Sequence, residues 1–298
     1  MRFSLAKASA AFGTAGMLVG VLAACAGDNA AKGADSAAAA NAAAAVAATP
    51  TVYTITAKDF SYDAPDTITG GMVTLKLVNQ GPDLHHVQLM KLSDGHTAAE
   101  LAEGLKHMKP TDAPPPWVHD VAGPNTPVPG GEVSLTSNLE AGNYAIVCFI
   151  PGADHIPHAM KGMVKGLTVL PATGATAPAP TADVNVMLKD YSWEITPALT
   201  AGKHVLKIEN QAAQSHELVL ALLAPGKKAQ DLAAWIENQQ GPPPGKPIGG
   251  ISGMAQGGVV YLPVELEPGE YGLFCFLPDA KDGKPHVAHG MITQITVK

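Results

Sequence analysis

The sequence predicts an all-β chain of two tandem Greek-key β-sandwiches, each interrupted by one short helical insertion. Three observations carry that prediction. One half of the chain repeats the other, each half is a series of short strand-like runs, and turn residues are dense, with 31 glycines and 25 prolines in 298 residues. Lys58-Asp-Phe-Ser-Tyr62 matches Lys189-Asp-Tyr-Ser-Trp193 at an offset of 131, as do Asn79-Gln80 with Asn210-Gln211 and His85 with His216. The offset falls to 127 where Gly142-Asn-Tyr-Ala-Ile-Val-Cys-Phe149 matches Gly269-Glu-Tyr-Gly-Leu-Phe-Cys-Phe276. It becomes 128 where Pro157-His158 and Gly162-Met163 match Pro285-His286 and Gly290-Met291. Shifts this small belong in loops.

Within the first copy, Val52–Thr56, Met72–Val78, Val87–Met90, Tyr144–Cys148 and Gly166–Leu170 are β-branched or alternating runs bounded by Gly, Pro and Asn. One helix interrupts them: Thr97-Ala-Ala-Glu100 fits a capping box, with Leu101, Leu105 and Met108 on one face. Its counterpart runs near 230–237, with Leu232, Trp235 and Ile236 available for packing. A triple proline follows each helix, Pro114–Pro116 and Pro242–Pro244, and must be a loop.

The N-terminal segment predicts export, and the charge balance argues against nucleic acid as a partner. Arg2 and Lys7, then an apolar stretch through Met17–Leu22, read as a signal peptide over residues 1–24. It ends in Leu22-Ala23-Ala24-Cys25, which resembles the bacterial lipobox and implies cleavage before Cys25 and acylation of its thiol. Ordinary cleavage after Ala24 or Ala26 is the alternative. Removing residues 1–24 takes the formal charge from −7 to −9, and no basic cluster is present, so nucleic acid is excluded as a partner. The expected organisation is an alanine-rich tether over 25–50, one domain over 51–170, a Pro/Ala/Thr linker over 171–182 and a second domain over 183–298. The implied location is the bacterial cell envelope, with lipid anchoring at its periplasmic or extracellular face.

Beyond Cys25 there is one cysteine per copy, Cys148 and Cys275, the wrong number for a disulfide within each domain. Each ends a strand, on the same face as Tyr144 and Ile146 or Tyr271 and Leu273. A lone cysteine of this kind is usually a small core hydrophobe. Here it belongs to an ordered set, His…Cys…His…Met, that occurs twice and ends both times in P-H-x-x-x-G-M. Two imidazoles, a thiolate and a distant thioether suit copper cycling between two oxidation states, because soft sulfur favours Cu(I) while imidazole accommodates Cu(II).

The Asn-x5-His spacing, the strand-end Cys and the P-H-x-x-x-G-M tail resemble the plastocyanin and azurin family of cupredoxins, with type 1 blue copper. The resemblance implies His85, Cys148 and His158 as equatorial ligands with Met163 axial, and His216, Cys275, His286 and Met291 in the second copy, so up to two copper ions per chain. One departure is the distance from Cys to the second His, with nine intervening residues in the first copy and ten in the second. Ordering a longer loop costs entropy. His155 offers a shorter spacing but lacks the preceding proline and the Gly-Met tail, so His158 is preferred. His86 should face the surface; His289 and Met160 are in reach of a metal by sequence, but exposed loop positions are expected for both.

The expected function is one-electron transfer at the membrane surface with a redox partner such as a cytochrome or an oxidase. Copper scavenging, storage or delivery uses the same ligands, and a metal-free interaction lipoprotein is a further reading. An enzyme is not expected: copper oxidases and nitrite reductases of this family place a histidine beside the type 1 cysteine. Here the neighbours are Val147 and Phe149, then Phe274 and Phe276.

Overall fold

Strict alternation sets the first sheet. In the strand Gly71–Asn79 every second side chain is buried, with Val73, Leu75 and Leu77 facing inward. The computed structural model describes residues 48–108, 112, 114–238 and 240–298. The expected signal peptide, Cys25 and nearly all of the tether lie outside these residues. Among the described residues no helix is long and apolar enough to cross a membrane.

Each repeat packs two sheets face to face. In the first, Ser61–Asp63, Thr51–Lys58, Gly71–Asn79 and Glu132–Leu139 lie side by side in that order. Opposite them run Thr67–Thr69, Val164–Leu170, Gly142–Val147, Gln88–Leu92 and Val118–Asp120. Thr51–Lys58 pairs parallel with Gly71–Asn79, and most other neighbours are antiparallel. Between the layers lie Ile55, Leu75, Leu77, Leu89, Tyr144 and Ile146, with Cys148 and Met163 in the same cluster. Burying one such Leu or Ile side chain contributes about 1.5–3 kcal/mol. The second repeat uses Ser192–Thr196, Val184–Lys189, Gly202–Asn210 and Val259–Leu266 in one sheet. Gly245–Met254, His216–Leu223, Gly269–Phe274 and Ile292–Val297 form its other sheet.

The helices form where the sequence places them. Thr97 caps Ala98–Leu105, its hydroxyl accepting from the Glu100 amide at 3.1 Å, and Leu101 is buried against Leu92, Val118 and Val147. Ala229–Asn238 is the counterpart, with Leu232 buried and Trp235 and Ile236 packed beside it.

The repeats are joined through their sheets, which the sequence does not announce. Glu132–Leu139 pairs antiparallel with Val259–Leu266, Ser137 opposite Val260 and Thr136 opposite Tyr261, so the two four-stranded sheets become one of eight strands. A second seam follows. Residues 121–125 leave the first repeat and pair with Gly245–Met254, the Ala122 amide donating to Gly253 O at 3.0 Å and the Asn125 amide to Gly250 O at 3.1 Å. Gly123 has to be glycine here, since a Cβ would lie 2.2 Å from the Val87 carbonyl oxygen. Ser252 stitches the seam, donating to Val87 O and accepting from the Gly123 amide, both at 2.8 Å.

One exposed ion pair gives a pH signature. His204 Nδ1 and Asp183 Oδ2 are 2.6 Å apart; the Asp183 partner raises the His204 pKa, and the Val205 amide, followed by His204, lowers that of Asp183. The histidine's contribution is complete below about pH 6.5 and is lost as pH rises through its folded pKa. The aspartate's is complete above about pH 4 and is lost as pH falls. Melting curves of the parent and Asp183→Asn are expected to differ most between those limits; above neutrality the gap narrows by the histidine's share, and the Val205 amide's bond to the carboxylate keeps the rest.

Candidate metal centres

The first histidine of each set stands beside a pinned turn. Asn79 is buried; its Nδ2 donates to Asp83 O at 2.8 Å and Pro127 O at 3.0 Å, and its Oδ1 accepts from the Gly81 amide at 2.9 Å. Asn210 does the same with Gln214 O, Met254 O and the Ala212 amide at 2.9, 2.6 and 2.9 Å. The side chain replaces the backbone partners that the turn lacks. Each turn leads into a buried histidine, His85 or His216, whose Nε2 meets a carboxylate. The partners are Asp59 at 3.3 Å and Asp190 at 3.1 Å. These aspartates belong to the repeated Lys-Asp-x-Ser-aromatic motif, whose role was not legible in the sequence. A carboxylate on Nε2 fixes the tautomer and leaves Nδ1 to face the site.

The second histidine returns despite the long loop because the extra residues close on themselves. Pro151 bridges to Pro157, the Gly152 amide donates to Ile156 O at 3.0 Å, and the His158 amide donates to Ile150 O at 3.0 Å. In the second repeat Pro278 bridges to Pro285, and the His286 amide donates to Leu277 O at 2.9 Å. The excursion is pinched off at its base, and Cys and His stay adjacent. His155 lies at the exposed tip with φ +61°. One turn of 3-10 helix follows each histidine and ends on Gly162 at φ +101° or Gly290 at φ +94°, the left-handed region that glycine tolerates. That reversal returns the next residue: the Met163 amide donates to His158 O at 3.0 Å while its carbonyl accepts from the Cys148 amide at 3.2 Å. Met291 bonds to His286 and Cys275 in the same way, at 2.9 and 3.3 Å. Both methionine side chains are buried.

The donors converge. Cys148 Sγ lies 4.0 Å from His85 Nδ1 and 3.6 Å from His158 Nδ1, and the two nitrogens are 3.1 Å apart. In the second repeat Cys275 Sγ lies 3.9 Å from His216 Nδ1 and 3.2 Å from His286 Nδ1. All six side chains are 0% exposed. Ligands about 2.0–2.3 Å from one ion and spread in a plane would stand roughly 3.5–3.8 Å from each other. The observed separations lie within several tenths of an ångström of that, so both groups fit a trigonal set of two nitrogens and one sulfur around a single ion. Two imidazoles and one thiolate are the donor set of type 1 copper, and these two His-Cys-His groups suit that ion.

Burial sets the protonation of the metal-free groups. It lowers the pKa of His85, His158 and His216, and pushes His286 down to about 4, so the imidazoles are neutral and ready to coordinate. It pushes the Cys148 thiol up to about 11 and the Cys275 thiol higher still, with Glu217 adding to the second shift. Loading therefore displaces a thiol proton at each site.

His86 does not face the surface as expected. It is buried, and its Nε2 accepts from the Phe149 amide, the residue after Cys148, at 2.9 Å. Glu217 holds the matching place after His216, Oε1 accepting from the Phe276 amide at 2.6 Å. An imidazole and a carboxylate do one job here, and because the residues differ, matching identities between the repeats does not reveal it. His289 and Met160 are both exposed, as expected, with His289 Nε2 3.1 Å from Asp282 Oδ1. His289, Asp279 and Asp282 also lie together. Their carboxylates are already taken by Tyr191, Gln214 and the Lys281 and Lys284 amides.

The two sandwiches, each with one buried His-Cys-His group, have the arrangement that the resemblance to cupredoxins implies. No protein-family model matches the chain, and a comparison with curated proteins gives no match. Among solved structures, it is similar to an auracyanin from Roseiflexus castenholzii at 21% identity and TM-score 0.30, over 42% of this chain and 99% of that one. It is similar to the blue copper oxidase of Nitrosomonas europaea at 16% identity and TM-score 0.25, over 84% and 86%. A copper nitrite reductase from Thermus scotoductus matches at 10% identity and TM-score 0.23, over 84% and 62%.

These matches correct one expectation, that the chain is not an enzyme. The oxidase and the reductase are among the structures matched over most of this chain, 84% in each case. The absence of histidine beside Cys148 and Cys275 rules out one particular route to a second copper site. It does not rule out catalysis.

Proposed function

We propose that the chain is an exported copper protein that carries single electrons at the membrane surface, anchored by lipid on Cys25, in exchange with a redox partner such as a cytochrome or an oxidase. The observation that carries this reading is the complete burial of both His-Cys-His groups, each already gathered at bonding separations. Copper bound there supplies a one-electron couple. The chain's residues do the rest: Asp59 and Asp190 orient the first histidines, and the pinched loops fix the second. Surrounding core excludes water, so little has to move between oxidation states. Burial also opposes handing over the ion itself, which favours a carrier over storage or delivery.

Voltammetry of the copper-loaded protein, repeated with excess Cu(I) chelator, separates these readings. Reversible one-electron waves that persist with chelator are expected. Rapid extraction of Cu(I) would overturn the carrier reading in favour of delivery. For the anchor, Cys25→Ser is expected to release the protein from the membrane fraction, and retention there would refute lipidation.

A further inference from the structure

Between the two sites lies a buried polar contact that neither site needs for its own ligand set. His86 follows ligand His85 and accepts from the amide after Cys148; Glu217 follows ligand His216 and accepts from the amide after Cys275. Asn125, on the segment that crosses from the first repeat to the second, stands between them. Its Nδ2 donates to Glu217 Oε2 at 3.1 Å and to Ile251 O at 3.2 Å. Its Oδ1 has no hydrogen-bond partner; burial pushes the His86 ring down to about 4, and Asn125 lies near enough to offset part of that shift. Because His86 Nε2 accepts, the neutral ring carries its proton on Nδ1, leaving a donor for Asn125. His86, Asn125 and Glu217 are all buried. Burying three such groups is costly unless they are paired, and a purely structural seam is already supplied by Ser252 and Gln88.

We propose that His86, Asn125 and Glu217 form a buried conduit that couples the two His-Cys-His sites, so that the chain passes an electron from one repeat to the other. The inference rests on the electron-carrier reading above. The route runs from Cys148 through the Phe149 amide to His86, across Asn125 to Glu217, and through the Phe276 amide to Cys275. One electron leaves one site and arrives at the other, oxidising the first as it reduces the second; no bond is made or broken and no proton moves. The route takes the place of the Cys-His neighbour that this chain lacks.

The test follows one electron in the copper-loaded full chain. A ruthenium photoreductant tethered through Lys161→Cys, at the rim of the first site, injects an electron beside His158. A Met291→Gln change at the expected axial position gives the second site its own EPR signature, and freeze-quenched spectra report which site is reduced. The electron is expected to appear at the first site and then at the second. The transfer rate should fall at least tenfold in Asn125→Ala and stay unchanged in Ser252→Ala, which alters the same seam off the route. Should Asn125→Ala not fold, Asn125→Ser, too short to span His86 and Glu217, carries the same expectation. An unchanged rate in a folded Asn125 variant, or no transfer at all, overturns the conduit while leaving both sites as carriers. Absence of type 1 copper signals from the parent would instead defeat the carrier reading on which the inference rests.

Discussion

A Cys148→Ser chain loaded with copper is expected to keep about half the thiolate-to-copper absorption of the parent, Cys275→Ser the other half, and the double variant none. The reasoning is chemical. The visible band arises from charge transfer from sulfur, and a serine hydroxyl at the same place is a hard, neutral donor that cannot supply it. The two histidines of each group stay in place, because Asp59 or Asp190 and the pinched loop hold them independently of the thiol. Residual colourless binding at the altered site is therefore expected. Because burial keeps both thiols protonated in the metal-free protein, the parent releases a proton at each site on loading and the double variant does not. Visible spectra of the three variants against added copper check the first point, and proton release in weak buffer checks the second.

Asn79→Ala carries the largest expected loss of stability from a residue that touches no metal. The change strands the Gly81 amide and the Asp83 and Pro127 carbonyls, all hydrogen-bonded to Asn79 at 2.8–3.0 Å. A buried group left without its partner costs about 1–3 kcal/mol, and a net loss of about 3 kcal/mol is expected, because water will recover part of the deficit. The turn also sets where His85 enters the site, so copper affinity there should fall about tenfold or more. Asn210→Ala should act alike at the second site only. The control is Gln80→Ala, an exposed neighbour, expected within about 0.5 kcal/mol of the parent. Denaturant melts and single-site copper titrations together measure both effects.

Much of this arrangement was legible in the sequence because it is local or repeated. The capping box gave the first helix its start at Thr97, and alternation in 72–78 gave a strand with one buried face. The ordered His, Cys, His and Met residues stood out because chance does not produce the set twice. What stayed hidden depends on pairings between distant segments. The join of Glu132–Leu139 to Val259–Leu266 leaves no mark in either strand, since any alternating edge could pair with any other. His86 looked like a surface residue because strand alternation turned it away from His85. That direction leads into the buried seam between the repeats, where its ring accepts from the Phe149 amide and lies near Asn125. The long loops seemed a hazard to the ligand set, and the structure resolves it with one bridge between prolines in each repeat.

The most direct test of the central claim, two type 1 copper sites in one chain, is a Cu(II) titration of the full-length protein with its thiols reduced beforehand, followed by visible absorption. The account predicts an intense blue band that grows linearly and saturates near two equivalents. Saturation near one equivalent, or binding without the band, would contradict it.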